Sequence, residues 1–179
     1  MDHSLWVFGY GSLMWNPGFP ISESVLARLQ GYHRSFCMRS IHHRGTETEP
    51  GLVLALDMLS SSACDGIAFQ VTPGQEEETL AYLRDRELVS AAYDECFVTL
   101  DLTDGRRVRA LTYVINAQHE QYCGRLPLEE QARIIAHAVG GRGPNAEYLF
   151  NTASFMAGLG LHDPDLEWLS NRVRALRNT

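Results

Sequence analysis

A short turn near the N-terminus carries residue types that could bind a small ligand. Leu5 to Phe8 are apolar and predict a buried strand, after which Gly9 and Gly11 flank Tyr10. Glycine permits backbone dihedrals that other residues avoid, and it lets another molecule approach the main chain closely. Backbone N–H groups that leave a strand without ladder partners need an acceptor, which an anion or a carboxylate can supply. We therefore expect residues 9–13 to cradle the acidic end of a small ligand.

Two other interpretations of this stretch stay open. It is also typical of a plain glycine-rich turn after an edge strand. A dinucleotide-binding loop fits less well, because Met14 stands where the third glycine of that motif belongs. Pro17 further predicts that no helix opens soon after the turn.

Glu87 is the second residue whose position suggests chemistry. Residues 75–88 predict a helix, and Leu80, Leu83 and Glu87 share one of its faces at about 100° per residue. Glu87 therefore points toward the interior from the last turn, whereas the three residues before it, Arg84, Asp85 and Arg86, are expected to face elsewhere.

A carboxylate in that place suits proton transfer. Burial and the negative end of the helix dipole both disfavour its charge, so we expect a raised pKa for Glu87. Such a group can accept and return a proton near neutral pH. The alternative is a frayed helix end, with Glu87 in solvent or paired with Arg84.

Composition narrows the class of protein. The chain has 179 residues, of which 45% are hydrophobic, and this predicts one soluble globular domain over residues 1–179. All fifteen basic residues are arginine, and the formal net charge of −7 argues against nucleic acid as the main partner. No apolar run approaches the length of a membrane span, and no leader-like segment precedes Trp6. We therefore expect a cytoplasmic protein without a membrane contact.

The cysteines and histidines do not predict a metal centre. The four cysteines stand apart, so a zinc ribbon is not indicated, and in a reducing compartment they should be free thiols. His42 and His43 are adjacent, and neighbouring residues on a strand point to opposite faces. We therefore do not expect a metal site at these residues.

The order of elements predicts an α+β fold, with strands first, then one helix, a hairpin and further helices. Residues 103–105, Thr-Asp-Gly, predict the turn of that hairpin. A turn is expected at residues 60–62, Asn145 is expected to cap a helix, and Asp163-Pro164 should begin the last one. The predicted strands cover residues 25–38, 52–56, 66–71, 95–102 and 106–116, and the later helices cover residues 127–139, 145–158 and 163 onward.

An ordered set of short motifs resembles the ChaC-like γ-glutamylcyclotransferases. The set runs from residue 6 to about residue 150, which is most of the chain. The matching residues are Phe8-Gly-Tyr-Gly-Ser-Leu-Met-Trp15, Arg34-Ser-Phe-Cys37, His43-Arg-Gly45, Pro50-Gly51, Tyr82-Leu83, Arg86-Glu87 and Asn145-Ala-Glu-Tyr-Leu149.

The resemblance implies a fold and a reaction. The fold is a compact mixed β-barrel flanked by helices. The reaction is the attack of the γ-glutamyl amine of glutathione on its own side-chain carbonyl, which releases 5-oxoproline and cysteinylglycine without a cofactor. Glu87 would then be the catalytic base and acid. The implied substrate-binding residues are Gly9, Tyr10, Gly11, Ser12, Leu13, Met14, Arg39, Arg44 and Tyr148.

Two alternatives remain beside glutathione cleavage. One is the same chemistry on other γ-glutamyl peptides or amines. The other is a binding or regulatory module without turnover, which would leave a costly buried carboxylate with no task.

Overall fold

The computed structural model describes residues 4–88 and 92–179. Five strands close into a barrel with the order β1-β3-β2-β4-β5. They are β1 (Trp6–Gly9), β2 (Ile21–Ser40), β3 (Gly51–Val71), β4 (Tyr93–Leu102) and β5 (Arg107–Ile115). β5 pairs antiparallel with β4 and parallel with β1, so the sheet is mixed. The predicted α+β fold with a mixed barrel is confirmed.

Five helices and a two-stranded ribbon complete the described fold. The helices are α1 (Ser12–Trp15), α2 (Glu76–Glu87), α3 (Leu128–His137), α4 (Asn145–Gly158) and α5 (Pro164–Arg177). The ribbon pairs β6 (Val139–Gly140) with β7 (Gly143–Pro144). None of the described helices is long and apolar enough to cross a membrane.

The chain forms two compact units. The barrel unit comprises Met1–Arg34 and Ala55–His119, and the helical unit comprises Ser35–Leu54 and Glu120–Thr179. A cluster of buried apolar side chains fills the barrel unit, including Phe8, Leu29, Leu56, Leu100 and Ala110. In the helical unit, α3, α4 and α5 pack on one another. The expectation of a single domain over residues 1–179 stays a prediction.

The predicted turn at residues 60–62 is wrong. β3 runs unbroken from Gly51 to Val71 beside β2 in the barrel. Ser62 faces His33 of β2, with 3.5 Å between Oγ and Nδ1. Serine favours turns because its side chain competes for backbone hydrogen bonds, and the sheet overrides that weak preference by supplying partners of its own.

The predicted hairpin between β4 and β5 is confirmed, whereas the predicted cap of α4 is wrong. Asp101 pairs with Arg107, and Gly105 in the turn has a φ of +92° that favours glycine. Asn145 is the first residue of α4, and its fully buried amide binds Leu52 instead of capping the helix. Asp163 caps α5 as predicted, since its side chain accepts from Leu166 N at 3.2 Å.

Candidate active site

The predicted ligand-binding turn leaves β1 at Gly9 and runs into α1. Contrary to the expectation from Pro17, a helix does open here, but it lasts only one turn. Met14 N donates to Gly11 O at 2.9 Å, whereas the N–H groups of Gly11, Ser12 and Leu13 have no protein acceptor among the described residues. The first amides of any helix lack intrahelical partners, so these three can serve a ligand.

The glycines of the turn are needed for close packing more than for unusual dihedrals. Gly11 has a φ of −137°, and neither Gly9 nor Gly11 has a positive φ. A Cβ added at Gly9 would lie 3.1 Å from the Phe69 ring and 3.2 Å from both Leu13 Cβ and Met14 N. A side chain at Gly9 would therefore push the turn away from the barrel.

Tyr10 is anchored rather than free to reorient. Its side chain is 7% exposed, and its hydroxyl donates to Tyr113 O of β5 at 2.8 Å. Its carbonyl accepts from Nη1 of the buried Arg34 at 3.1 Å, and the same guanidinium donates to Asp65 O at 2.7 Å. These bonds hold the turn rigidly against the barrel wall.

Arg86 joins the turn to the end of α2. Its Nη2 donates to Ser12 Oγ at 3.1 Å, and its Nη1 donates to Asn16 O and to Pro17 O at 3.3 Å. The expectation that Arg86 faces away from the interior is wrong, because its side chain is only 16% exposed. The carbonyls that follow α1 draw the guanidinium inward, since a helix end leaves carbonyls unsatisfied.

Glu87 is the last residue of α2, and its side chain is 17% exposed. Its Oε1 lies 3.4 Å from Arg86 Nε, so the carboxylate stands beside the group that grips the turn. Arg84 binds Glu95 instead of Glu87, through two hydrogen bonds of 3.0 and 3.1 Å. The inward position of Glu87 matches the sequence analysis, and its catalytic role and raised pKa stay predictions.

The charge of Glu87 acts on a tyrosine, Tyr113, which binds a second carboxylate, Glu95, and the sequence analysis identified neither residue. Tyr113 Oη donates to Glu95 Oε2 at 3.1 Å. Burial, with added contributions from the charges of Glu95 and Glu87, raises the pKa of Tyr113. The pKa of Glu95 is lowered, mainly because its carboxylate accepts hydrogen bonds from the guanidinium of Arg84.

The hairpin register contains the signal that could have revealed this pair. Glu95 and Tyr113 are directly opposite in the β4–β5 ladder, six residue pairs before Asp101 and Arg107 at the turn. Counting back from the turn residues Asp104 and Gly105 places them face to face.

The other predicted binding residues lie in the helical unit. Arg44 is buried; its Nη1 donates to Pro144 O at 3.2 Å, and its guanidinium lies 5.7 Å from the centre of the Tyr148 ring. Tyr148 is 8% exposed, and its hydroxyl accepts from Leu54 N at 3.3 Å. Arg39 is half-buried and pairs its backbone N with Gln121 O at 2.7 Å. Their role as substrate contacts stays a prediction.

Residues 5–176 match the model of the family described as ChaC-like protein. The chain belongs to the ChaC-like family. The glutathione-specific gamma-glutamylcyclotransferase of Escherichia coli is 37% identical over 172 residues, which cover 96% of this chain and 74% of that protein. Glutathione-specific gamma-glutamylcyclotransferase 1 of Homo sapiens is 39% identical over 155 residues, 86% of this chain and 70% of that one.

The fold of this ChaC-like protein is also similar to a solved structure. A crystal structure of a gamma-glutamyl cyclotransferase specific to glutathione from yeast superposes with a TM-score of 0.87. The superposition covers 97% of both chains at 23% sequence identity, so it supports the fold alone.

A separate cleft in the barrel unit of this ChaC-like protein contains none of the predicted site residues. It has a volume of about 350 Å³ and opens between β2 and β4, with Tyr32, Phe97, Asp101 and Arg107 in its wall. Among the described residues, no group of three histidine, cysteine or acidic side chains could hold a metal ion. Glu87 and the turn, which Arg86 links, therefore remain the candidate active site that the sequence analysis predicts.

Proposed function

We propose that this chain is a glutathione-specific γ-glutamylcyclotransferase. One observation carries the proposal: Arg86 contacts the carboxylate of Glu87 at 3.4 Å and the turn residue Ser12 at 3.1 Å. The guanidinium of Arg86 therefore links a largely buried acid to the turn whose first amides we propose for the substrate. The names of two relatives, which are 37% and 39% identical to it over the aligned residues, point to the same reaction.

The reaction closes a ring within the substrate. The amine of the γ-glutamyl group forms a bond to its own side-chain carbonyl carbon, and the amide bond to cysteine breaks. That amine is an ammonium at neutral pH and must first lose a proton. Glu87 accepts this proton and then delivers it to the departing amide nitrogen, so that 5-oxoproline and cysteinylglycine leave as products.

The turn supplies position and charge stabilisation. The N–H groups of Gly11, Ser12 and Leu13 hold the acidic γ-glutamyl end or the oxyanion that develops on the carbonyl. Fixing that end places the amine over the carbonyl, and orientation accounts for much of the barrier in a cyclisation. Tyr10 and Arg34 keep the turn rigid through their bonds to Tyr113 O and Asp65 O.

No cofactor takes part in this chemistry, because the substrate provides both the nucleophile and the electrophile. Glutathione, a small peptide with two carboxylates, is the proposed partner. A cytoplasmic location and the absence of nucleic-acid or membrane partners remain predictions from the charge and hydropathy of the sequence.

A panel of γ-glutamyl compounds tests the proposal. Purified protein is incubated with glutathione, with other γ-glutamyl dipeptides and with γ-glutamyl amines, and 5-oxoproline is measured by mass spectrometry. We expect release from glutathione well above release from the other compounds. Preferential release from another compound would make the chain a cyclotransferase of different specificity. Saturable binding of glutathione without any product would make it a binding module.

A further inference from the structure

Two cysteines of the helical unit are neighbours in space, although some eighty residues separate them in sequence. The backbone N–H of Cys123 donates to Cys37 O at 2.8 Å. At the next position of β2, Met38 forms an antiparallel bridge with Tyr122. In an antiparallel pairing, one step forward on one chain matches one step back on the other. Cys37 and Cys123 are therefore a directly opposite pair.

The hydrogen bonds on the other side of the bridge fix this register. Arg39 N donates to Gln121 O at 2.7 Å, and the Gln121 side-chain Nε2 donates to Arg39 O at 2.9 Å. A slip of one residue would turn every side chain of the paired segment to the opposite face. Bonds at Arg39 and at Cys37 enclose the bridge, so the register that places the two cysteines opposite each other is held from both sides.

This register suits a disulfide. Directly opposite residues point to the same face, with their Cα and Cβ atoms each about 4.5–5.5 Å apart. A disulfide spans Cα distances of about 4.4–6.8 Å and Cβ distances of about 3.5–4.5 Å. The Cβ atoms therefore need to approach by at most about 1 Å. Cys123 lies between the end of β5 and the start of α3, where neither helix nor strand restricts that movement.

The two thiols differ in how accessible they are. All four cysteines of the chain are free thiols in this structure. Cys37 is 0% exposed, whereas Cys123 is half-buried. A reagent in solution therefore reaches Cys123 first, and Cys37 can react only with a sulfur that Cys123 already carries.

We propose that Cys37 and Cys123 form a disulfide when the protein meets a small-molecule disulfide, RSSR. The thiolate of Cys123 attacks one sulfur of RSSR, so that a mixed disulfide forms and one RS⁻ leaves. The thiolate of Cys37 then attacks the sulfur of Cys123, the protein disulfide forms and the second RS⁻ leaves. The two departing thiolates take up the two protons that the cysteines lose. The cysteines are thus oxidised, and RSSR is reduced to two RSH.

The disulfide would join the segment of Cys123 to β2 covalently. It closes a loop of some eighty residues, and a cross-link of that span restricts the unfolded chain strongly. We expect the melting temperature to rise by about 5–15 °C, as a long closed loop predicts for a chain of this size. Backbone hydrogen bonds within the helical unit carry this proposal, which is independent of the proposed function.

The experiment oxidises the purified protein with bis(2-hydroxyethyl) disulfide, which has no γ-glutamyl group. Burial raises the pKa of the Cys123 thiol, so the reaction is run at about pH 8.5 to supply the thiolate. Free thiols are then blocked with N-ethylmaleimide, and peptides are mapped by mass spectrometry without reduction. We expect a peptide that links Cys37 to Cys123 in most molecules, together with the higher melting temperature. Dithiothreitol should reverse both changes.

Single variants identify the cysteines that react. Cys123→Ser, at a half-buried position, should remove both the linked peptide and the gain in melting temperature. Cys37→Ala should do the same, with a small apolar side chain in the buried position. The matched control is Cys96→Ser, because Cys96 lies opposite Thr112 in the β4–β5 ladder and faces no thiol there. We expect that control to keep the disulfide and its effect.

Three outcomes would overturn the proposal. They are the absence of a Cys37–Cys123 peptide after oxidation, cross-links spread equally over all four cysteines, and a Cys37–Cys123 disulfide that fails to raise the melting temperature. Release of 5-oxoproline is measured separately on the reduced protein. A protein that forms the disulfide but releases no 5-oxoproline would overturn the proposed function alone, and an active protein without the disulfide would overturn this proposal alone.

Discussion

Two buried tyrosines, one in each unit, show how surroundings decide what a phenol does. Tyr113 in the barrel unit donates its proton to Glu95, and the charge of Glu87 acts on it. Tyr148 in the helical unit accepts a hydrogen bond from the Leu54 amide and lies under the guanidinium of Arg44. Next to a carboxylate, the hydroxyl donates its proton to a charged acceptor. Next to a strand amide, the hydroxyl completes a backbone hydrogen bond. The comparison therefore predicts that substitutions near Tyr113 change the reaction and that substitutions near Tyr148 change stability.

The sharpest test of this contrast is Glu87→Gln, which keeps the shape of the side chain and removes the base. We expect release of 5-oxoproline to fall about 10²–10⁴-fold, the usual share of general acid–base catalysis. The melting temperature should stay near that of the parent protein. The control is Asp85→Asn, an exposed carboxylate on the same helix, which should keep full activity. Parent-level release by Glu87→Gln would remove Glu87 from the mechanism.

In the helical unit, we expect a substitution to change the stability of the protein rather than its activity. Asn145 is fully buried, and its amide both accepts from Leu52 N and donates to Leu52 O at 2.8 Å. Asn145→Ala leaves two backbone groups of β3 without partners, and we expect about 2–4 kcal/mol less free energy of unfolding in urea. Asn151→Ala, at an exposed position of the same helix, should change it by less than about 0.5 kcal/mol. A small effect of Asn145→Ala would mean that water replaces the amide.

Arg86→Met tests whether the turn needs its contact with the guanidinium of Arg86. The guanidinium bridges Ser12 and Glu87, so its loss should loosen the substrate position and reduce kcat/KM about tenfold. Arg107→Met, which removes an exposed ion pair elsewhere in the barrel unit, serves as the control. If both variants kept parent kinetics, the turn would be held by Tyr10 and Arg34 alone.

Tyr148→Phe tests whether the hydroxyl of Tyr148 supports stability, as the comparison with Tyr113 predicts, or contacts the substrate. Its hydroxyl completes a bond to Leu54 N, so we expect a loss of about 1–2 kcal/mol in unfolding free energy and an unchanged KM for glutathione. Urea unfolding and steady-state kinetics measure the two quantities on one preparation. A raised KM at unchanged stability would instead support the predicted substrate contact of Tyr148.

The smallest expected difference concerns two thiols, one in each unit. Burial raises the pKa of both Cys96 and Cys123, but the charges of Asp94 and Glu95 raise it further at Cys96, whereas Arg39 opposes the rise at Cys123. Since the thiolate is the reactive form, alkylation should be slow at neutral pH for both and should accelerate at a lower pH for Cys123. Peptide mapping after iodoacetamide treatment at a series of pH values measures this order. Faster alkylation of Cys96 across the whole range would contradict it.

Local patterns predicted much of the fold. The Asp104-Gly105 turn, the acidic first turn of α2 and the Asp163-Pro164 start of α5 are decided by neighbours in sequence, and all three are present. The predictions that failed depend on distant partners. β3 continues through its serines because β2 lies beside it, and Asn145 leaves its helix to bind Leu52 because that strand approaches.

In the candidate site, too, local sequence predicted some features, and distant residues decided another. Helical periodicity was enough to place Glu87 on the inner face of α2, and the glycine spacing was enough to mark the turn. Arg86 was wrongly expected to face away, because the carbonyls that attract it belong to residues some seventy positions earlier. Periodicity along one helix carries no information about such a partner.

By itself the sequence determined the family and predicted which residues could transfer a proton or bind a ligand, because side-chain chemistry and local spacing can be read along the chain. Only the tertiary structure decided that Arg86 links the acid to the turn and that Tyr113 donates its proton to Glu95. Those contacts depend on how strands and helices far apart in sequence approach each other, and burial and charge act on a side chain only once its neighbours are in place.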